Sequence, residues 1–223
     1  MFDLNGLFSL GAVKMCLMKS LSILSLVASI LFIFPSHELC AQNRVVRDLL
    51  QSIEGQWQVD ENGNVTYERV IEAPEVPRAE LFNRGLNYFT YNYTSGKSVI
   101  QTEDKELGRI IAKGLYDNVH VGVTIVTNVF DCYHIARVDV REGRARILLS
   151  LTDYEWTSSA TNPPSMGMTE VSATFPVDAS GGLKNQYGKA FYQSHKRALA
   201  TLDAIEKALR EGNTSSQFEN DDW

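Results

Sequence analysis

Val138–Ser150 reads VDVREGRARILLS, and the turn at its centre decides which face of the protein is buried. Arg141-Glu142-Gly143-Arg144 forms a two-residue hairpin loop with glycine at the second central position, as tight hairpin turns prefer. That loop sets Val140 against Ala145, Val138 against Ile147, Ala136 against Leu149 and His134 against Leu151. On the other face Asp139 meets Arg146. One side is apolar, and the other places opposite charges across the ladder, a pairing that contributes roughly 0.2–1 kcal/mol. A slip of one residue would bury Asp139 and Arg146, so the pattern fixes its own register.

Upstream, SVIQTEDKELGRIIAKGLY predicts a second ribbon, with strands Ser98–Glu103 and Arg109–Tyr116 joined by an acidic turn at Asp104–Gly108. Val119–Thr127 and Val129–Asp139 read as further strands. Earlier still, Val65–Glu72 is β-branched and aromatic enough for a strand, and Pro74 and Pro77 stop it. Pro77 then suits the first turn of a helix whose stripe is Leu81, Phe82, Gly85, Leu86, Phe89 and Tyr93, broadened by Tyr88 and Tyr91. Downstream of the hairpin, Glu155–Thr169 reads as a polar loop and Val171–Phe175 as one more strand. A long last helix, about Gln186–Arg210, carries Tyr187, Phe191, Ala198, Leu199, Leu202, Ile205 and Leu209 on one stripe.

This order predicts an α+β domain over 64–210: a curved antiparallel sheet with one short and one long C-terminal helix packed on one face. No internal repeat is visible.

The amino terminus predicts export. Lys14 and Lys19 precede an apolar run at Leu21–Phe34, followed by Pro35–Gln42, which together make a signal peptide over 1–41. The run is shorter than the ~20 apolar residues that cross a bilayer, so no transmembrane segment is expected once the signal is cut. Cleavage after Ala41 leaves a soluble chain beginning at Gln42, in the periplasm or at the cell surface. The rival is lipidation of Cys40, which His37-Glu38-Leu39 fits poorly. Over 42–63 a short amphipathic helix at Asn43–Ile53, N-capped by Asn43, leads into a linker, and 211–223 reads as a disordered acidic tail.

Cys132 is the one thiol secure in the mature chain, so no disulfide framework is expected and the hydrophobic core must hold the domain. The chain of 223 residues has a formal charge of −6 and no Lys/Arg run that would track phosphates, which argues against nucleic acid.

Each candidate for chemistry has a plainer reading beside it. Cys132 and His134 share a strand face, as a thiol–imidazole dyad would, but that face is the apolar one, where a free cysteine acts as a small hydrophobe. His120, His134 and His195 lack metal-ligand spacing, and no catalytic residue, metal or cofactor is expected. Glu103, Asp104 and Glu106 fit a solvated turn better than a cation site. Arg109, Arg144 and Arg146, with Lys113 and Arg137, are either an anion-binding surface or outward residues paired with Asp139 and other acids. Trp156, Met166 and Met168 are either a lid over an apolar cavity or members of a floppy loop.

Three segments, VIEAPEVPRAELFNRGLNYF, SVIQTEDKELGRIIAKG and VDVREGRARILLSLTDY, resemble in order the secreted domain of unknown function 4468 family of Gram-negative gut anaerobes. Gly108, Arg109, Ile110 and Gly114 match its glycine-bounded strand, and Arg141, Gly143, Arg144 and Arg146 its basic hairpin, with Ala145 where an aromatic is usual. The likeness implies a TATA-binding-protein-like β-α-β(n)-α fold and an exported location. It implies no activity. Together these readings predict a non-enzymatic binding or interaction module of the cell envelope, its partner an unknown envelope protein. The alternative is a carrier holding a small apolar molecule in a helix-grip-like cavity between the last helix and the sheet.

Overall fold

The computed structural model describes residues 36–93 and 99–212, with side chains from residue 44 onward. The expected signal core at 21–34 and the expected acidic tail beyond 212 lie outside the described residues.

Helix α1, Ser36–Gln51, begins earlier than the sequence predicts, so Asn43 is an interior residue and not its N-cap. Val46 and Ile53 are buried and Trp57 meets Phe191 edge-on at 5.1 Å, so residues 46–57 pack as part of the domain. A two-residue strand β1, Gln58–Val59, pairs with β2, Val65–Glu72, whose bounds are those predicted. Helix α2 is Arg78–Asn92. Strands β3 (Val99–Asp104), β4 (Arg109–Val123), β5 (Thr127–Arg141), β6 (Arg144–Ser158) and β7 (Ser165–Glu170) follow, and then α3, Lys184–Glu211.

The strands form one antiparallel seven-stranded sheet in the order β1-β2-β6-β5-β4-β3, with β7 on the free edge of β6. Strand β6 is long enough to hold two partners end to end: β2 runs along 144–151 and β7 along 153–158. The hairpin pairs as its sequence predicts, Val138 with Ile147, Asp139 with Arg146 and Val140 with Ala145. Gly143 takes φ +65°, and its carbonyl accepts the Ala73 amide at 2.8 Å, so the turn also anchors the end of β2.

Three predictions fail here. Val119–Thr127 is no separate strand: Val119–Val123 is the outer end of β4, carried past an irregularity at 117–119 where Asn118 is left-handed and its amide donates to Asp131, and after a bend at 124–126 Thr127 opens β5. The expected polar loop over Glu155–Thr169 shrinks to a turn at 159–164, between the end of β6 and a returning strand β7. Val171–Ala173 is a 3-10 turn rather than a strand, closed by the Thr174 hydroxyl on Val171 O at 2.8 Å.

Helices α2 and α3 cover the same face of the sheet. They meet it at Gly85 of α2, where a methyl group would sit 3.1 Å from Ile110, 3.6 Å from Leu209 and 3.9 Å from Val138. The core between them is apolar and closed: Phe89, Phe191, Ile110, Ile147, Leu149, Ile205 and Leu209 are fully buried. Hydroxyls pin α3 above it, Tyr67 to His195 Nδ1 at 3.1 Å and Tyr116 to Thr201 at 2.8 Å.

Candidate functional site

Strand alternation divides the ionisable residues of β4, β5 and β6 between the two faces. On the outer face, Asp139 collects three guanidinium groups. Arg109 Nε donates to its Oδ1 at 2.7 Å, Arg137 reaches Oδ2 at 2.8 Å and Arg146 reaches the same oxygen at 3.0 Å. Partial burial alone would raise the carboxyl pKa. The hydrogen bonds from Arg137, Arg109 and Arg146 outweigh it and hold the group at about 2. The paired-charge reading therefore describes Arg109, Arg137 and Arg146.

Beyond that hub, Arg109, Arg141, Arg144 and Arg146 line an open hollow of about 330 Å3 with Glu68, Asp139, Val70, Leu107 and Ala145. Its walls are built by the β5–β6 hairpin, β2 and the β3–β4 turn. The turn is fastened from behind by Arg78 at the start of α2, which donates to Lys105 O at 3.0 Å and to Glu106 O at 2.5 Å. Lys113 stands apart from this group, 4.4 Å above the ring of Tyr133.

On the inner face the same chemistry is silenced. Cys132 is fully buried, and burial pushes its thiol up to about 12. His134 lies stacked on Tyr116 at 3.9 Å and takes a 2.8 Å hydrogen bond with Tyr93 through Nε2; burial brings it down to about 3. A protonated thiol beside a neutral, partnered imidazole is no activated nucleophile. Gly114 makes room for that ring, since a side chain there would come 2.5 Å from His134 Cε1. The roles of Tyr93, Tyr67 and Tyr116 were not apparent in the sequence, because the placement of α2 and α3 brings Tyr93 and Tyr67 to their histidines and the β4–β5 register brings Tyr116 to His134.

Trp156, Met166 and Met168 do not come together as a lid. Trp156 lies on the inner face over Gly167 and donates to Thr169 at 3.2 Å. Met166 and Met168 point the other way, 68% and 57% exposed on the outer face of β7. They cannot close a cavity beneath α3. Among the described residues, no group of acids, histidines and cysteines could hold a metal ion.

An antiparallel sheet with its helices gathered on one face defines an α+β protein of the TBP-like class. Residues 67–149 match the model of the "Domain of unknown function (DUF4468) with TBP-like fold", so the resemblance carried by the three sequence segments holds. The chain is similar in structure to a DUF4468 family protein from Bacteroides ovatus, with a TM-score of 0.51 at 12% identity over 70% of this chain and 91% of that one. It is also similar to a TBP-like protein from Parabacteroides distasonis, with a TM-score of 0.54 at 14% identity over 69% and 97%. At such identities the likeness is one of fold. No curated protein matches the chain.

Proposed function

We propose that this chain is an exported, non-enzymatic interaction module whose working surface is the outer face of its sheet. One observation carries the reading: both long helices lie on one face, while the other exposes large side chains that a helix layer would cover. Ile135 at the sheet centre is 37% exposed, and Val70, Val121, Met166 and Met168 more so. Val121, Val129 and Met166 stand in one row across β4, β5 and β7, and exposed apolar surface of this kind is characteristic of interaction sites. The Arg109, Arg144 and Arg146 cluster lies at one end of that face and the two methionines at the other.

Replacing Ile135 with a photo-crosslinking residue in the native host tests the reading. A discrete adduct from position 135, absent when the probe is placed at Lys207 on α3, is expected; equal or absent crosslinking at both sites contradicts it. Export is tested by mass spectrometry of the protein recovered from its host, which should begin at Gln42. A mass that includes residues 1–41 contradicts cleavage, and a lipidated Cys40 redirects the proposal to an anchored form.

The carrier reading has less behind it. The space beneath α3 is filled by Tyr154, Phe191, Leu202 and Ile205, and the methionines meant to close it face away.

A further inference from the structure

We propose that the hollow at the β5–β6 turn is a binding site for an oxyanion, carboxylate or phosphate, held between Arg141 and Arg144 with Arg146 at its wall. The inference takes from the proposed function only that the outer face is the working one.

Its basis is the contrast between two sets of arginines within one hollow. Arg109, Arg137 and Arg146 are closed on Asp139. Arg141 and Arg144 are not closed on anything. They are direct partners across the hairpin ladder, both exposed, and among the described residues neither side chain makes an ion pair or hydrogen bond. The acids nearby are occupied or out of reach. Glu142 in the turn accepts the Arg78 amide at 3.2 Å, and Glu68 stands 3.9 Å from Arg146. Glu72 is the ladder partner of Arg144 on β2 but forms no ion pair with it.

Like charges set directly opposite on neighbouring strands destabilise the pair. The tip of the β5–β6 hairpin therefore carries a like-charge pair, which Glu72, opposite Arg144 on β2, offsets from one side only. An oxyanion between the two guanidinium groups replaces that repulsion with charge-assisted hydrogen bonds, which planar guanidinium groups form two at a time with carboxylate or phosphate. The hollow, about 330 Å3, is within the size range of small-molecule sites, and four arginines face only two acids across it. In a chain of formal charge −6, that local excess stands against the general balance and draws anions to this one place. Val70, Leu107 and Ala145 add apolar wall for the carbon skeleton of a carboxylate ligand.

Arginine side-chain NMR tests this. The Nε–Hε signals of the intact protein are followed while inorganic phosphate, and separately succinate, is added at constant ionic strength. Saturable shifts confined to Arg141, Arg144 and Arg146 are expected, with a rise in thermal midpoint. In Arg144→Gln the anion should bind at least tenfold more weakly, while the ligand-free midpoint rises because the repulsion is gone. That paired outcome separates a binding site from a structural arginine, whose loss would lower the midpoint. At least tenfold tighter phosphate binding assigns a phosphoryl ligand; the reverse assigns a carboxylate. Shifts that stay linear in concentration and extend equally to Arg47, or an anion response unchanged in Arg144→Gln, would overturn the proposal. Neither result bears on crosslinking at position 135, so the two tests fail separately.

Discussion

His134 and Asp139 lie on the same strand, face opposite ways, and both have depressed pKa values with opposite meanings. Burial drives His134 down to about 3 and so removes its charge. The three arginines around Asp139 overcome its partial burial and lock its charge in place at about 2. One face of β5 is built to be free of charge, and the other organises charge where solvent can reach it. The pair shows why a search for chemistry by residue type goes astray here: the cysteine and histidine that look reactive are core, and the reachable groups belong to the alternate positions of the same strand.

One acid placed on each face at adjacent positions should produce the largest difference between the two faces. Ala136 is fully buried on the inner side, so Ala136→Asp leaves an unpaired carboxylate in the core and should cost at least about 3–5 kcal/mol, unfolding the protein or nearly so. Ile135→Asp, next along the chain, should cost less than about 1 kcal/mol. Chemical denaturation of both measures the difference, and similar losses would mean that the faces are misassigned.

Acid titration separates the two groups by window. The folded His134 binds its proton only near pH 3, whereas an ordinary histidine does so near 6.5, so the unfolded state takes up more protons between those values. Stability is whole above pH 6.5 and falls as pH drops towards 3, at up to about 1.4 kcal/mol per pH unit from this residue. His195, also lowered by burial, acts with the same sign. Denaturation midpoints of His134→Gln across that range should show the slope reduced by about one proton. Asp139 acts lower: its contribution is present above its ordinary 3.8 and is lost as pH falls through about 2. At neutral pH, Asp139→Asn should cost roughly 1–3 kcal/mol by leaving three guanidinium groups unneutralised, after allowance for solvent screening. The smallest effect has the opposite sign. Arg141→Gln should stabilise the ligand-free protein by roughly 0.2–1 kcal/mol through loss of the repulsion across the hairpin.

The fold was legible wherever local pattern and final burial agree. Val65–Glu72, the stripe of α2, the stripe of α3 and the hairpin register all follow from alternation or helical spacing, because each buries one face only. Strand β7 was hidden because its pattern is inverted. Its inward positions are Gly167 and Thr169, small so that Trp156 can lie over them, and its large residues, Met166 and Met168, face solvent. The length of β4 was hidden by Asn118, which breaks the alternation within one continuous strand. At the outer-face cluster, the Asp139–Arg146 pair could be read from the hairpin itself. The share that Arg109 takes in Asp139 needed the β4–β5 register, and the hollow needed β2 to lie beside β6, an order that nothing local in the sequence encodes.

The inner face of β5 is sealed and the outer face open, and thiol reactivity measures both at once. Cys132 in the native protein should stay unreactive towards an aromatic disulfide reagent until the protein unfolds. A thiol placed by Ile135→Cys in a Cys132→Ala background should react at once. A reactive native Cys132, or a silent thiol at position 135 in the purified protein, would contradict the account.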